Sequence, residues 1–133
     1  MLRSGKQGLA LLAGLGFLWF PAAGSDLEIT KKAGDHAITI RIDRNPPIKG
    51  DNNLEIRIKD AAGNEVTNAK VMVNYYMPPM PRMAPMNYRK EAKLKKERYT
   101  LKMDLIMEGP WYIVTKAAIG DKTLSAKFHI EVL

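Results

Sequence analysis

Apolar and polar residues alternate along most of this chain, and that period of two commits it to strands. Ile38, Ile40 and Ile42 alternate with Thr39, Arg41 and Asp43. Leu54, Ile56 and Ile58 alternate with Glu55, Arg57 and Lys59. Val71, Val73 and Tyr75 share one face, with Lys70, Met72 and Asn74 on the other. Tyr99, Leu101, Met103 and Leu105 follow the same rule, as do Leu124, Ala126, Phe128, Ile130 and Val132. In a strand successive side chains point to opposite faces, so such runs describe strands buried on one side.

Turn chemistry separates the runs. Asn45-Pro-Pro-Ile-Lys-Gly50 links two of them, and Asp60-Ala-Ala-Gly-Asn64 forms a hairpin-type turn in which Gly63 and Asn64 accept positive φ. Glu108-Gly-Pro110 and Gly120-Asp121 supply two more breaks. Residues 27–31 and 88–94 complete the strand set. For residues 89–98 a helix competes, because Glu91 and Lys95 are good helix formers. The period of two at Tyr88, Lys90, Ala92 and Leu94, and a natural hairpin to Tyr99, favour a strand. Regular turns between short strands describe an all-β fold, an immunoglobulin-like antiparallel β-sandwich of seven to eight strands.

The first 24 residues stand apart from this pattern. Arg3 and Lys6 precede an uncharged, mostly apolar run of 13 residues from Gly8 to Phe20, and Pro21-Ala-Ala-Gly24 offers small residues for cleavage. This is the layout of a secretory signal peptide. The run is shorter than the ~18–20 residues that span a bilayer comfortably, and an uncleaved N-terminal anchor requires residues 21–24 to enter the membrane as well. The domain then occupies residues 25–133 and is exported, periplasmic or otherwise extracytoplasmic. It keeps 19 Lys and Arg against 14 Asp and Glu, a net charge of +5. Outside the cytoplasm that charge points to an acidic partner or an anionic surface and not to nucleic acid. The chain has no cysteine, which removes disulfides, zinc–thiolate sites and blue-copper centres.

One segment breaks the alternation with chemistry of its own. Met77-Pro-Pro-Met-Pro-Arg-Met-Ala-Pro-Met86 holds half of the eight methionines and half of the eight prolines. The prolines forbid a helix interior, so the four methionines form a displayed loop and not a helical core stripe. In polyproline II the spacing of three would set neighbouring side-chain origins ~9 Å apart on one side of the ladder. Convergence of three thioethers needs the chain to bend, as a loop between strands does. Met72, Met103 and Met107 are auxiliary sulfurs, although Met103 is in phase with the core. A thioether is soft, neutral and has no proton to lose, which suits Cu(I) or Ag(I) in an exchangeable site. The other reading of Met77, Met80, Met83 and Met86 is an adaptable apolar surface, a docking loop or a lid on one end of the sandwich. Arg82 inside the loop argues against a cation.

Basic residues follow the loop. Arg89, Lys90, Lys93, Lys95 and Lys96 form either a solvated strand face or a docking surface for an acidic partner beside the methionines. His36 precedes one strand, and His129 lies on an outer face with Lys127 and Glu131. Both read as ordinary surface or turn residues. No Ser/His/Asp set, paired carboxylates or phosphate-binding glycine loop is present in the pattern, so no enzyme is expected.

The order of features resembles the YtkA-like/FixH-like family of small exported or membrane-anchored β-sandwich domains. The matching stretches are residues 47–60, then Gly63-Asn-Glu-Val-Thr-Asn-Ala-Lys-Val71, Tyr76-Met-Pro-Pro-Met80, Tyr99-Thr-Leu-Lys-Met103 and Met107-Glu-Gly-Pro-Trp111. The resemblance implies copper handling, cytochrome oxidase assembly or metal efflux, with a membrane-associated component of such a system as partner. Many family members carry His near the Met-Pro-x-Met step. Here Arg82 and Met83 stand in that region and no His lies between 37 and 128. The expectation is therefore an all-thioether Cu(I)/Ag(I) site, held transiently. Met77 and Met80 match the motif directly, and Met83 and Met86 extend it. The alternative is a non-metal interaction module whose Met/Pro loop docks against a membrane-associated complex.

Overall fold

The computed structural model describes residues 26–133. The leader or anchor expected at residues 1–24 lies outside the described residues. Eight strands follow in chain order: β1 (Leu27–Ala33), β2 (His36–Ile42), β3 (Gly50–Lys59), β4 (Lys70–Tyr76), β5 (Asn87–Lys95), β6 (Arg98–Leu105), β7 (Gly109–Ile119) and β8 (Lys122–Val132). Every pairing is antiparallel, and the spatial order is β1-β2-β3-β6-β5-β4-β7-β8. The helix alternative for residues 89–98 is therefore excluded.

The two layers of the sandwich are parts of one folded sheet, and β5 is the fold line. Its first part, through Ala92, pairs with β4, whereas Lys93, Leu94 and Lys95 pair with Thr100, Tyr99 and Arg98 of β6. Removing the β1 extension leaves β2-β3-β6-β5 facing β4-β7-β8. That is the four-plus-three arrangement of a constant-type immunoglobulin sandwich. The chain crosses between layers after β3 and again after β6, which gives Greek-key connections. The Asp60–Asn64 turn closes on itself, with Gly63 at φ 88 and the Gly63 N–H donating to the Asp60 carbonyl. Beyond it the chain leaves for β4 in the other layer, so β3 and β4 are not hairpin partners.

The alternation reads directly as packing. Ile38, Ile40, Ile42, Leu54, Ile56 and Ile58 of one layer meet Val73, Tyr75, Trp111, Ile113 and Phe128 of the other in a closed interior. Full burial of each such side chain contributes about 1.5–3 kcal/mol. Tyr99 is buried as well, and its hydroxyl has two backbone partners. It donates to the Val66 carbonyl at 2.9 Å and accepts from the Ala69 N–H at 3.0 Å. This pins the crossover between β3 and β4 to β6. The pattern fails at Leu94, which is 46% exposed, where β5 has left β4 and pairs with β6 close to the turn between them. On the far side, β8 is tied to the β2–β3 connection: the Leu133 N–H donates to the Pro47 carbonyl, and the Lys49 N–H donates to the Leu133 carbonyl.

Candidate metal site at the methionine loop

The β4–β5 ladder sets the frame of the loop. Tyr75 opposes Tyr88 and Tyr76 opposes Asn87. The same register continues one rung further, where the Met77 N–H donates to the Met86 carbonyl at 3.1 Å. Met77 and Met86 are thus cross-strand neighbours. Side chains so opposed have Cβ atoms ~4.5–5.5 Å apart.

The eight residues between them fold back through a second closure. The Met83 N–H donates to the Met80 carbonyl at 3.3 Å, and Arg82 has φ 67. A proline at the second position and positive φ at the third are the signature of a type II turn. Its ends, Met80 and Met83, have Cα atoms less than ~7 Å apart. The polyproline II ladder with its ~9 Å steps is therefore replaced by a hairpin that pairs Met77 with Met86 and Met80 with Met83. The bend comes from Pro81, whose ring fixes φ, and from the continued register, which draws the two loop stems together.

All four methionines line one open pocket of about 240 Å³. Pro78, Pro79, Ala84 and Pro85 supply the rest of its apolar wall, and Tyr76 and Asn87 stand at its rim. The four are not equivalent. Met77 is buried, with 5% exposure, and belongs to the core, whereas Met80, Met83 and Met86 are half-buried. Met80 and Met86 pack against the core, giving the rim a rigid base.

A second segment supports this base from below. A Cβ placed on Gly109 would lie 3.2 Å from Met77 Cε, and Gly109 has φ 119, a conformation that favours glycine. Trp111, fully buried, donates its indole N–H to the Met107 carbonyl at 2.8 Å. Its ring lies 6.4 Å from Tyr88 and 6.2 Å from Tyr75, and those two tyrosines stack at 5.3 Å. The Met-Pro-Pro-Met and Met-Glu-Gly-Pro-Trp stretches, some thirty residues apart in sequence, thus form one end of the sandwich. Neither stretch alone encodes this contact, which arises from the fold.

The auxiliary sulfurs separate. Met103 is fully buried in the interior. Met72 sits on the outer face of β4, opposite Lys116. Met107 is half-buried against the core at the loop end. Neither histidine joins the methionines. His129 Nε2 lies 2.9 Å from Glu131 on the outer face of β8. His36 starts β2 at the opposite end, its Nδ1 2.7 Å from Asp35. The hydrogen bond from His36, followed by the nearby Lys122 charge, holds the Asp35 carboxyl below its usual value. Among the described residues no three His, Cys, Asp or Glu side chains gather as a metal-ligand group. Thioethers are a separate ligand class, and the chemistry of this donor set fits a soft monovalent cation: neutral sulfurs around an apolar hollow, with no carboxylate in the loop.

The basic run after the loop is divided by the fold. Arg89 points outward beside Asn74, near the loop. Lys90 donates to the Lys102 carbonyl at 3.0 Å, bridging the space where β5 leaves β4 for β6. Lys93 lies 3.5 Å from Glu91. Lys95 and Lys96 stand at the β5–β6 turn, with Lys96 at φ 61. Nine residues of extended chain at ~3.4 Å each set Lys95 ~30 Å from Met86. The five residues expected as a docking surface thus extend along β5 from the methionine loop to the far turn.

No curated protein matches this chain. A protein-family model described as YtkA-like matches residues 30–116. The matched region runs from β1 into β7 and includes the methionine loop and the Gly109–Trp111 support. It spans more than half of the sequence, and the chain belongs to the YtkA-like family.

Proposed function

We propose that this protein is an exported carrier of Cu(I) or Ag(I), loading and releasing the ion at the methionine loop. One observation carries the reading: two independent backbone closures gather Met77, Met80, Met83 and Met86 around a single pocket. Core packing alone has no use for half-buried thioethers on a proline-stiffened rim. Met80, Met83 and Met86 are the exchangeable ligands, and Met77 is the buried fourth donor that ties the site to the interior. Neutral thioethers bind such an ion without releasing protons and let it go readily, as delivery requires. The layout of residues 1–24 supports export, and the family supports a place in copper handling, oxidase assembly or metal efflux beside a membrane-associated partner. Exchangeable thioether donors suit carriage of the ion.

A second reading draws on the same pocket. Its volume and its Met/Pro wall also suit one large apolar side chain of a partner, which makes the loop a docking element without metal. Anaerobic titration of the full chain with Cu(I), in competition with a chelator, separates the two. The carrier reading expects binding at least about tenfold tighter than that of a variant with all four methionines changed to leucine, ~1.4 kcal/mol. Equal binding by the two proteins overturns it. Leucine preserves an apolar pocket, so partner docking without metal survives that substitution.

A further inference from the structure

The outer faces of the two layers differ in how their charges are used. On the β1-β2-β3-β6 layer most outward cations are paired with carboxylates, Lys32 of β1 being an exception among the described residues. Arg41 lies near Asp26 and Glu55, Arg98 reaches the same Glu55, and Arg57 and Lys59 share Glu65. The Glu65 contact raises the Arg57 guanidinium above its usual value. On the β5-β4-β7-β8 layer the outward cations include Arg89, Lys70, Lys116 and Lys127. Among the described residues none of the four has a carboxylate within 4.0 Å. The two outward carboxylates there, Glu91 and Glu131, lie against Lys93 and His129.

The same face carries an aromatic row. Tyr76, Tyr112 and His129 are register partners across β4, β7 and β8. Tyr76 and Tyr112 have centroids 5.5 Å apart, and Tyr112 and His129 5.1 Å. Lys127 Nζ lies 4.4 Å from the Tyr112 ring centroid and 5.9 Å from that of Tyr76. In the next row, Arg89, Asn74, Val114 and Lys127 are register partners. Three strand spacings put Arg89 and Lys127 ~14 Å apart. Tyrosine and arginine are favoured anchors of protein interfaces.

We propose that this face docks an acidic protein segment, with Tyr76 and Tyr112 as aromatic anchors and Arg89, Lys116 and Lys127 as charge contacts. Charge complementarity selects the occupant, because Arg89, Lys70, Lys116 and Lys127 stand on one face without a carboxylate of the described residues beside them, and an external carboxylate can neutralise them. The two rings lie against one another with Lys127 Nζ over them, an arrangement suited to packing against a protein segment. Tyr76 also stands at the rim of the methionine pocket, so the docked segment runs alongside it. The inference does not depend on metal binding.

The test is an NMR titration of the metal-free, full-length chain with a short synthetic Glu/Asp-rich peptide at low salt. Shift changes are expected to cluster on Tyr76, Tyr112, Lys116 and Lys127. Affinity falls about tenfold in K116E/K127E. R89E provides a second variant on a different strand, so a folding defect in either leaves the other to decide. The variant with four leucines in the loop retains binding, which keeps this outcome separate from that of the Cu(I) titration. Shifts centred on the Lys95–Arg98 turn or on the β1-β2-β3-β6 layer overturn the proposal. So does undiminished binding by the charge-reversed variants, or association with phosphatidylglycerol vesicles but not with the peptide.

Discussion

Gly109 approaches Met77 so closely that a Cβ on residue 109 would stand 3.2 Å from the Met77 methyl. That contact joins the start of β7 to the methionine loop and packs it closely against the buried thioether. Gly109 also holds φ 119, which an L side chain rarely adopts. The Gly109→Ala variant is expected to lose about 1–2 kcal/mol, chiefly from the backbone conformation, since the Met77 methyl can shift a few tenths of an ångström. Urea unfolding checks this: the midpoint falls while the slope stays constant. An unchanged midpoint would reject the claim that the φ of Gly109 strains a side-chain-bearing residue.

Tyr99 carries a separate burden. Its hydroxyl serves the Val66 carbonyl and the Ala69 N–H inside the fold. Tyr99→Phe keeps the ring and strands both backbone groups. The expected loss is about 1–3 kcal/mol, the usual penalty for a buried polar group without its partner. Tyr88→Phe is the control, because the Tyr88 ring stacks on Tyr75 and Trp111 and the ring itself is kept. Equal stability of the two variants would show that the crossover is held by something else.

The sandwich was legible in the sequence because burial on one face imprints itself on every second residue, as Ile38, Ile40 and Ile42 show. The fold line in β5 was not. Its local pattern continues through Leu94, and the hairpin to Tyr99 is local; only the pairing of its first part with β4, as of Ala92 with Val71, reveals that the strand joins both layers. The methionine loop was half legible. Its residue types and spacing named a soft-ligand string, but the pairing of Met77 with Met86 depends on a register set by Tyr75 and Tyr88. Arg82 offered no warning of its positive φ, because that conformation is imposed by the turn and is not preferred by arginine. The basic run from Arg89 to Lys96 looked like one patch because adjacency in sequence hides the length of an extended strand. The cationic face was invisible for the opposite reason: Lys70, Lys116 and Lys127 meet only through the sheet.

Arg82 holds the turn at φ 67 and places a cation in the loop that would receive one. Arg82→Gly removes the cation and relieves the strain of the positive φ while keeping the turn. Glycine adopts the positive φ without steric cost, although its freer unfolded chain offsets part of the gain. Stability is therefore expected to stay within about 1 kcal/mol of the parent. Ag(I) affinity should rise a few-fold at low salt, and the gain should shrink as salt is added. A fall in affinity, measured by competition titration, would mean that the guanidinium helps form the site instead of opposing the ion.

The response of metal binding to pH distinguishes a thioether site from one completed by histidine. Met77, Met80, Met83 and Met86 have no protons to release, so Ag(I) affinity should be flat between about pH 5 and 8. An imidazole ligand would behave otherwise, because its proton competes with the metal below its pKa and affinity would fall on acidification. The geometry keeps both histidines away from the loop. His129 is bonded to Glu131 on the outer face, and His36 lies at the far end beside Asp35. His129→Gln and His36→Gln should accordingly leave the affinity and its flat profile unchanged. A slope that disappears in His129→Gln would relocate the site from the pocket to the aromatic row on the neighbouring face, where Tyr112 and His129 already stack.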